Sequence, residues 1–86
     1  MEIRNWVAIE VLEEPGYGLQ LFYRSVKPEG GSWYRQYKIE GHIKGMFYSE
    51  PFDEEQDDNK QLAYESWWKI DSMVEDEIHD RVRLTS

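Results

Sequence analysis

The sequence predicts an α+β fold, an antiparallel β-meander of three to four strands covered by one long C-terminal amphipathic helix. Apolar and polar residues alternate with period two through residues 1–50, whereas from residue 62 apolar residues recur every three or four positions. Turn-forming residues separate the alternating segments, so hairpins and a meander are the expected connections. The 86 residues fit a single domain 1–86, with the meander in 1–50 and an acidic helical segment in 53–84.

The first two strands are expected on either side of a tight turn. A strand is predicted from about residue 5 to residue 13, and three β-branched residues share its expected buried face: Val7, Ile9 and Val11. Residues 14–18 contain one proline and two glycines, which supply the backbone angles of a turn. Alternation then predicts a second strand over 19–26.

The third strand has the clearest alternation in the chain. Its expected buried face carries four large apolar residues: Trp33, Tyr37, Ile39 and Ile43. Its expected solvent face carries six polar residues: Tyr34, Gln36, Lys38, Glu40, His42 and Lys44. Arg35 interrupts the apolar face, Gly41 suggests a bulge, and Gly45 suggests a turn before a short strand over 46–49.

A helix is predicted for the acidic second part of the chain. Asp53 is a favourable N-cap, and initiation at Asp57 or Asp58 is an open alternative. From Leu62 to about Arg83 there is neither proline nor glycine, which favours one continuous helix. Five apolar residues at helical spacing form its expected buried stripe: Ala63, Trp67, Ile70, Val74 and Ile78.

The opposite side of this helix carries an outer ridge that we define by five residues: Tyr64, Trp68, Asp71, Glu75 and His79. An exposed tryptophan among carboxylates is typical of a binding anchor. Two alternatives are structural: Trp68 packs on Tyr64 or folds back over the sheet, or it exchanges roles with Trp67 through rotation of the helix.

Charge is distributed unevenly along the chain. Residues 1–49 hold six acids and six bases, whereas residues 50–80 hold twelve acids against Lys60 and Lys69, within a net charge of −8. Such a field repels nucleic acid and membrane phosphates and attracts basic protein surfaces. The expected partner is therefore a basic protein surface, without direct binding to nucleic acid or membrane.

Catalytic, metal and cofactor sites are not expected. A calcium loop starting at Asp53 fails, because Asp58 stands where glycine is needed and Tyr64 stands where a bidentate glutamate is needed. His42 and His79 are far apart, and no nucleophile or phosphate-binding motif is present. The absence of cysteine, of a signal segment and of a long apolar run predicts a cytoplasmic protein.

In size, charge and layout, with a hairpin-rich first half and an acidic helical second half, the chain resembles the small acidic anti-defence proteins of phages and mobile elements, including the anti-CRISPR type. The resemblance implies that carboxylates on a rigid surface imitate phosphates and occupy the basic groove of a nucleic-acid-binding complex. Acids on the helix, such as Glu65, Asp71 and Glu75, stand about 6 to 9 Å apart along its axis, which suits such mimicry.

The sequence therefore predicts a non-enzymatic inhibitor that binds a basic partner. Ten residues are the expected partner-binding residues: Glu54, Glu55, Asp57, Asp58, Tyr64, Glu65, Trp68, Asp71, Glu75 and Asp76. Two alternatives stay open. One is an immunity protein or antitoxin for a basic nuclease, and the other is a structural homodimer formed by strand-edge pairing or by helix packing through Trp68.

Overall fold

Five antiparallel strands form one sheet, and a helix packs on one of its faces, in the computed structural model, which describes the backbone of residues 1–85 and the side chains of residues 1–80. The elements in chain order are β1 (Glu2–Ile3), β2 (Val7–Glu14), β3 (Tyr17–Lys27), β4 (Tyr34–Ile43), β5 (Met46–Phe52) and α1 (Asn59–Thr85). The predicted α+β class is confirmed. The last strand is longer than expected, and β1 was not predicted from the sequence.

The sheet is a meander around the long strand β3. Strands β4 and β5 follow on one side, and β1 and β2 pair with successive parts of the other side of β3. Pairing of β3 with β4 runs without interruption from Tyr17 opposite Ile43 to Val26 opposite Tyr34. Two-residue turns with positive φ at Gly16 and Gly45 connect the hairpins, as the sequence predicted.

The core lies between α1 and one face of the sheet, which we call the covered face; the other is the open face. Strands β3 and β4 and the helix contribute the buried residues at its centre: Leu19, Leu21, Tyr37, Ile39, Ala63, Trp67, Ile70 and Val74. Burying a large apolar side chain of this kind stabilises the fold by roughly 1.5 to 3 kcal/mol. The predicted helical stripe is confirmed, with Ile78 half-buried at its end.

The prediction that Val7, Ile9 and Val11 share one buried face is wrong. Ala8 pairs with Phe22 and Glu10 pairs with Leu21, so Ile9 is the extra residue of a β-bulge. The bulge reverses the alternation, which turns Val11 to the open face and brings Leu12 opposite buried Leu19. Val7 and Val11 are both exposed at this edge of the sheet.

Two expectations for β4 are also wrong. Trp33 lies before the strand, so the alternation of β4 does not direct its side chain to the core, and its indole is exposed. The Arg4 guanidinium lies over this indole, 5.3 Å from the ring centre. Gly41 is paired regularly with Leu19, so no bulge occurs there. Glycine is needed at this position for close approach, since a Cβ atom would stand 2.0 Å from the Gly18 carbonyl oxygen.

The helix begins later than Asp53, because residues 53–58 are held in an irregular loop by a buried side chain. The Asn59 amide donates to the carbonyl oxygens of Arg35 (2.9 Å) and Glu54 (2.6 Å), and its own oxygen accepts from the Gln56 amide. The first helical hydrogen bond joins the Leu62 amide to the Asp58 carbonyl, so Asp58 occupies the N-cap position. The alternative start at Asp58 is therefore confirmed, and the start at Asp53 is wrong.

Polar contacts fix the helix along the covered face. The Ser66 hydroxyl donates to the Glu50 carboxylate at 2.9 Å, and the Tyr48 hydroxyl donates to the same carboxylate. Further along, Glu77 accepts from the Tyr17 hydroxyl and pairs with the Lys44 ammonium at 3.2 Å. Tyr17 directly follows one hairpin turn at this end of the sheet, and Lys44 is part of the other. The helix backbone continues for about 12 Å after Glu77.

Gly41→Ala is expected to lower the free energy of unfolding by at least about 2 kcal/mol, because its Cβ would collide with the Gly18 backbone. Gly18→Ala is the matched control, since a Cβ there has open space around it and the cost is expected to stay below about 1 kcal/mol. Urea denaturation of both variants measures the contrast. Equal midpoints for the two variants would contradict the close approach of β3 and β4.

Tyr48 gives the fold a pH dependence in the alkaline range. Burial, followed by the hydrogen bond from its hydroxyl to Glu50, raises the pKa of Tyr48 from 10.0 to about 12. A raised pKa favours the neutral phenol in the folded state, so the stabilisation that Tyr48 contributes is complete below about pH 10 and is lost as the pH rises from about 10 to 12. Tyr48→Phe is expected to reduce this fall, measured by urea denaturation across that range; an unchanged slope would contradict it.

Candidate partner-binding surface

The ten sequence-predicted binding residues lie in the loop before α1 and on its outward side. Eight are exposed, and Tyr64 and Asp71 are half-buried. The structure brings five of them together around one open depression of about 750 Å³: Asp57, Asp58, Tyr64, Glu65 and Trp68. Asp76 borders a second depression on the other side of Trp68, together with Lys69 and Met73.

The remaining predicted residues are not part of these depressions. Glu54 lies beside Phe52 and Glu55 lies beside Trp33, each in a small recess at the start of the helix. Asp71 and Glu75 belong to the outer ridge but line neither depression. The predicted set is therefore not one pocket: it spreads over the outward side of the helix and the loop before it, and Trp68 lines both of the depressions on the helix.

The rotation of the helix decides which tryptophan faces outward. Trp67 is 6% exposed within the core, whereas Trp68 is 60% exposed. The Trp68 indole contacts the Tyr64 ring, with centroids 5.7 Å apart and planes tilted by 47°. Trp68 thus packs on Tyr64, as one alternative proposed, and still presents most of its surface to solvent.

The carboxylates of this surface are not neutralised by neighbouring bases within residues 1–80. Ion pairs in that range join Lys38 to Glu40 (3.5 Å) and Lys44 to Glu77 (3.2 Å), and neither involves the eight acids of the predicted set. Glu65 accepts a hydrogen bond from the Gln61 amide at 3.3 Å. The negative charges are therefore available to an approaching cation.

Tyr64 connects the outer surface to the core. Its ring packs against the hydrophobic core, and its pKa is raised, chiefly by burial and further by the nearby Glu10 carboxylate and Tyr37. The phenol therefore stays neutral well above neutral pH. It supports Trp68 from one side as a fixed aromatic ring.

The open face of the sheet carries a cation–aromatic cluster that sequence reasoning missed. Arg24 and Lys38 lie over the Trp6 ring at 4.4 and 4.5 Å from its centroid, and Lys38 also lies over Phe22 at 5.2 Å. Alternation placed Lys38 on this face, but the position of Trp6 depends on the irregular segment before β2. The aromatic rings and the cations of this face therefore contact one another within the chain.

Within the described residues, no group of three or more histidine or acidic side chains is arranged to hold a metal ion. The helix in that part of the chain lacks the apolar length required to cross a bilayer. The comparisons with known proteins add no relative: no protein-family model, curated protein or solved structure matches the chain.

The two adjacent tryptophans should differ sharply in their contribution to stability. Trp67→Ala is expected to cost about 3 to 5 kcal/mol through loss of core packing, whereas Trp68→Ala should cost less than about 1 kcal/mol. Thermal or urea unfolding measures both costs. Acrylamide quenching of tryptophan fluorescence, compared between the wild type and each variant, identifies which of the two indoles is accessible to solvent. Equal destabilisation would mean that the helix is rotated relative to the sheet.

Proposed function

We propose that this protein is a non-enzymatic acidic binding module that inhibits its partner by occupying a basic, nucleic-acid-binding surface. The observation that supports this proposal most directly is the exposed Trp68 surrounded by carboxylates that form no ion pair within residues 1–80, on and just before a helix whose other side is packed in the core. In the anti-defence setting that the resemblance implies, the partner is a nucleic-acid-binding complex of the host. The alternative partner is a basic nuclease, for which this protein would be the immunity protein or antitoxin and which would bind the same acidic surface.

The physical reasons for binding are complementary. Acids along one side of a molecule steer it toward a basic surface and raise the association rate at low ionic strength. An exposed aromatic side chain at the centre of that surface can be buried on contact, which slows dissociation. The rigid helix keeps the carboxylates at fixed spacing, so little ordering entropy is lost when the partner binds.

A second candidate function is self-association. Strand β5 pairs only with β4 among the described residues, and Met46 and Phe47 are exposed at the start of this edge strand. Pro51 lies within the strand and cannot donate a backbone hydrogen bond, which limits edge pairing to its first part. Light scattering distinguishes the candidates: self-association gives a mass of about twice the 10.4 kDa chain.

The double variant Asp71→Lys with Glu75→Lys tests the proposed function. Partners are captured from host lysate, purified, and assayed for displacement of labelled nucleic acid by the wild-type protein. We expect the double variant to lose at least about tenfold in affinity for the partner, because two attractive charges become repulsive.

A matched control separates this surface from net charge. Glu2→Lys with Glu29→Lys changes the net charge by the same amount, from −8 to −4, at two exposed positions away from the helix. It should lower affinity only slightly at moderate salt. Equal effects of both double variants, or no effect of either, would contradict a specific binding surface on the helix.

A further inference from the structure

The depression beside Trp68 combines aromatic and acidic surface. Two of its lining residues are the aromatic pair Tyr64 and Trp68, and three are acids: Asp57, Asp58 and Glu65. Lys60 is its one basic lining residue, which leaves three negative charges against one positive. A volume of about 750 Å³ accommodates a long side chain together with part of the backbone that carries it.

Elsewhere in the molecule, arginine side chains lie over partly exposed aromatic rings. Arg24 lies over Trp6 at 4.4 Å, Arg4 over Trp33 at 5.3 Å and Arg35 over Tyr23 at 4.8 Å. Each of these three aromatic rings is partly accessible to solvent and has a guanidinium of the chain itself over it. Within residues 1–80, no arginine or lysine lies over Trp68, although it is the most exposed of the four tryptophans.

We propose that an arginine side chain of the partner occupies this depression, with its guanidinium stacked on the Trp68 indole and paired with the surrounding carboxylates. This inference rests on the proposed binding function and names the group that the surface recognises. A guanidinium suits this site because its flat face can stack on the indole while the N–H donors around its edge bind carboxylates at the rim. A lysine ammonium is a compact, strongly hydrated charge and gains less from the flat ring.

Closure of the depression by a partner would strengthen both contacts. Removal of water lowers the local dielectric constant, so each carboxylate attracts the cation more strongly than at the free surface. Cation–π attraction likewise grows when the ring and the cation are desolvated. Tyr64 fixes one side of the Trp68 indole and thereby limits the motion that would otherwise oppose stacking.

The test uses three short capped peptides that differ only in the side chain offered: glycine-spaced arginine, lysine or citrulline, the neutral isostere of arginine. Binding is followed by tryptophan fluorescence and by the chemical shift of the Trp68 indole NH. We expect the wild-type protein to bind the arginine peptide several-fold more tightly than the lysine peptide. Its affinity for the arginine peptide should exceed that for the citrulline peptide by about tenfold or more.

Variants then assign the site. Trp68→Leu should weaken arginine-peptide binding about five- to tenfold and Trp68→Tyr should retain much of it, because tyrosine keeps an aromatic face. Glu65→Gln should weaken it about two- to threefold by removing one charge. Trp33→Leu, which removes another exposed indole, is the matched control and should leave the affinity unchanged.

The outcomes separate this inference from the proposed function. Equal affinity of Trp68→Leu and wild type, or equal affinity for arginine and lysine peptides, overturns the arginine site. If the Asp71→Lys, Glu75→Lys variant still binds the partner more weakly than the wild type, the proposed function stands without the arginine site. If neither the peptides nor the partner respond to any change on this side, the proposed function fails as well.

Discussion

The packing of one helical stripe on the centre of one sheet is the contact on which the rest of the molecule depends. Ala63, Trp67, Ile70 and Val74 fill the covered face over β3 and β4, and no second helix is present among the described residues to form another core. A domain of this size has little stability to spare, and another rotation of the helix would lose this packing. The contact therefore sets the rotation of the helix. The same rotation that buries Trp67 turns Trp68 outward.

Charge follows the same division. The outward side of the helix and the loop before it carry carboxylates that form no ion pair within residues 1–80, whereas the open face of the sheet holds Arg24 and Lys38 over Trp6. The two surfaces differ in what they leave for a partner. On the open face, aromatic rings and cations of the chain contact one another. Beside Trp68, no cation from residues 1–80 lies over the indole, and the neighbouring acids form no ion pair in that range.

The sequence predicted those features that depend on local pattern. The turns at Gly16 and Gly45, the alternation of β3 and β4, and the helical stripe follow from backbone preferences and from periodic burial. The errors have tertiary causes. The helix begins at Asn59 because that side chain binds the backbone of β4, and such a contact between distant segments leaves no periodic signal.

The same distinction applies to the candidate site. Helical periodicity was sufficient to place Tyr64, Trp68 and Asp71 on one outward side, but it could not show that Asp57 and Asp58 would border the same depression as Trp68. Their positions depend on the loop fixed by Asn59. Likewise, Ile9 forms a bulge and Trp33 stacks under Arg4 through contacts that alternation alone does not specify.

Chemical-shift mapping of the isotope-labelled protein with its purified partner tests the central claim most directly, since it locates the contact without any substitution. We expect the largest changes in the Trp68 indole and in amides of residues 57–80 on the outward side of the helix, with the open face of the sheet little affected. Changes concentrated on β5 or on the Trp6 cluster, with an unchanged Trp68 indole, would contradict the assignment of this surface to partner binding.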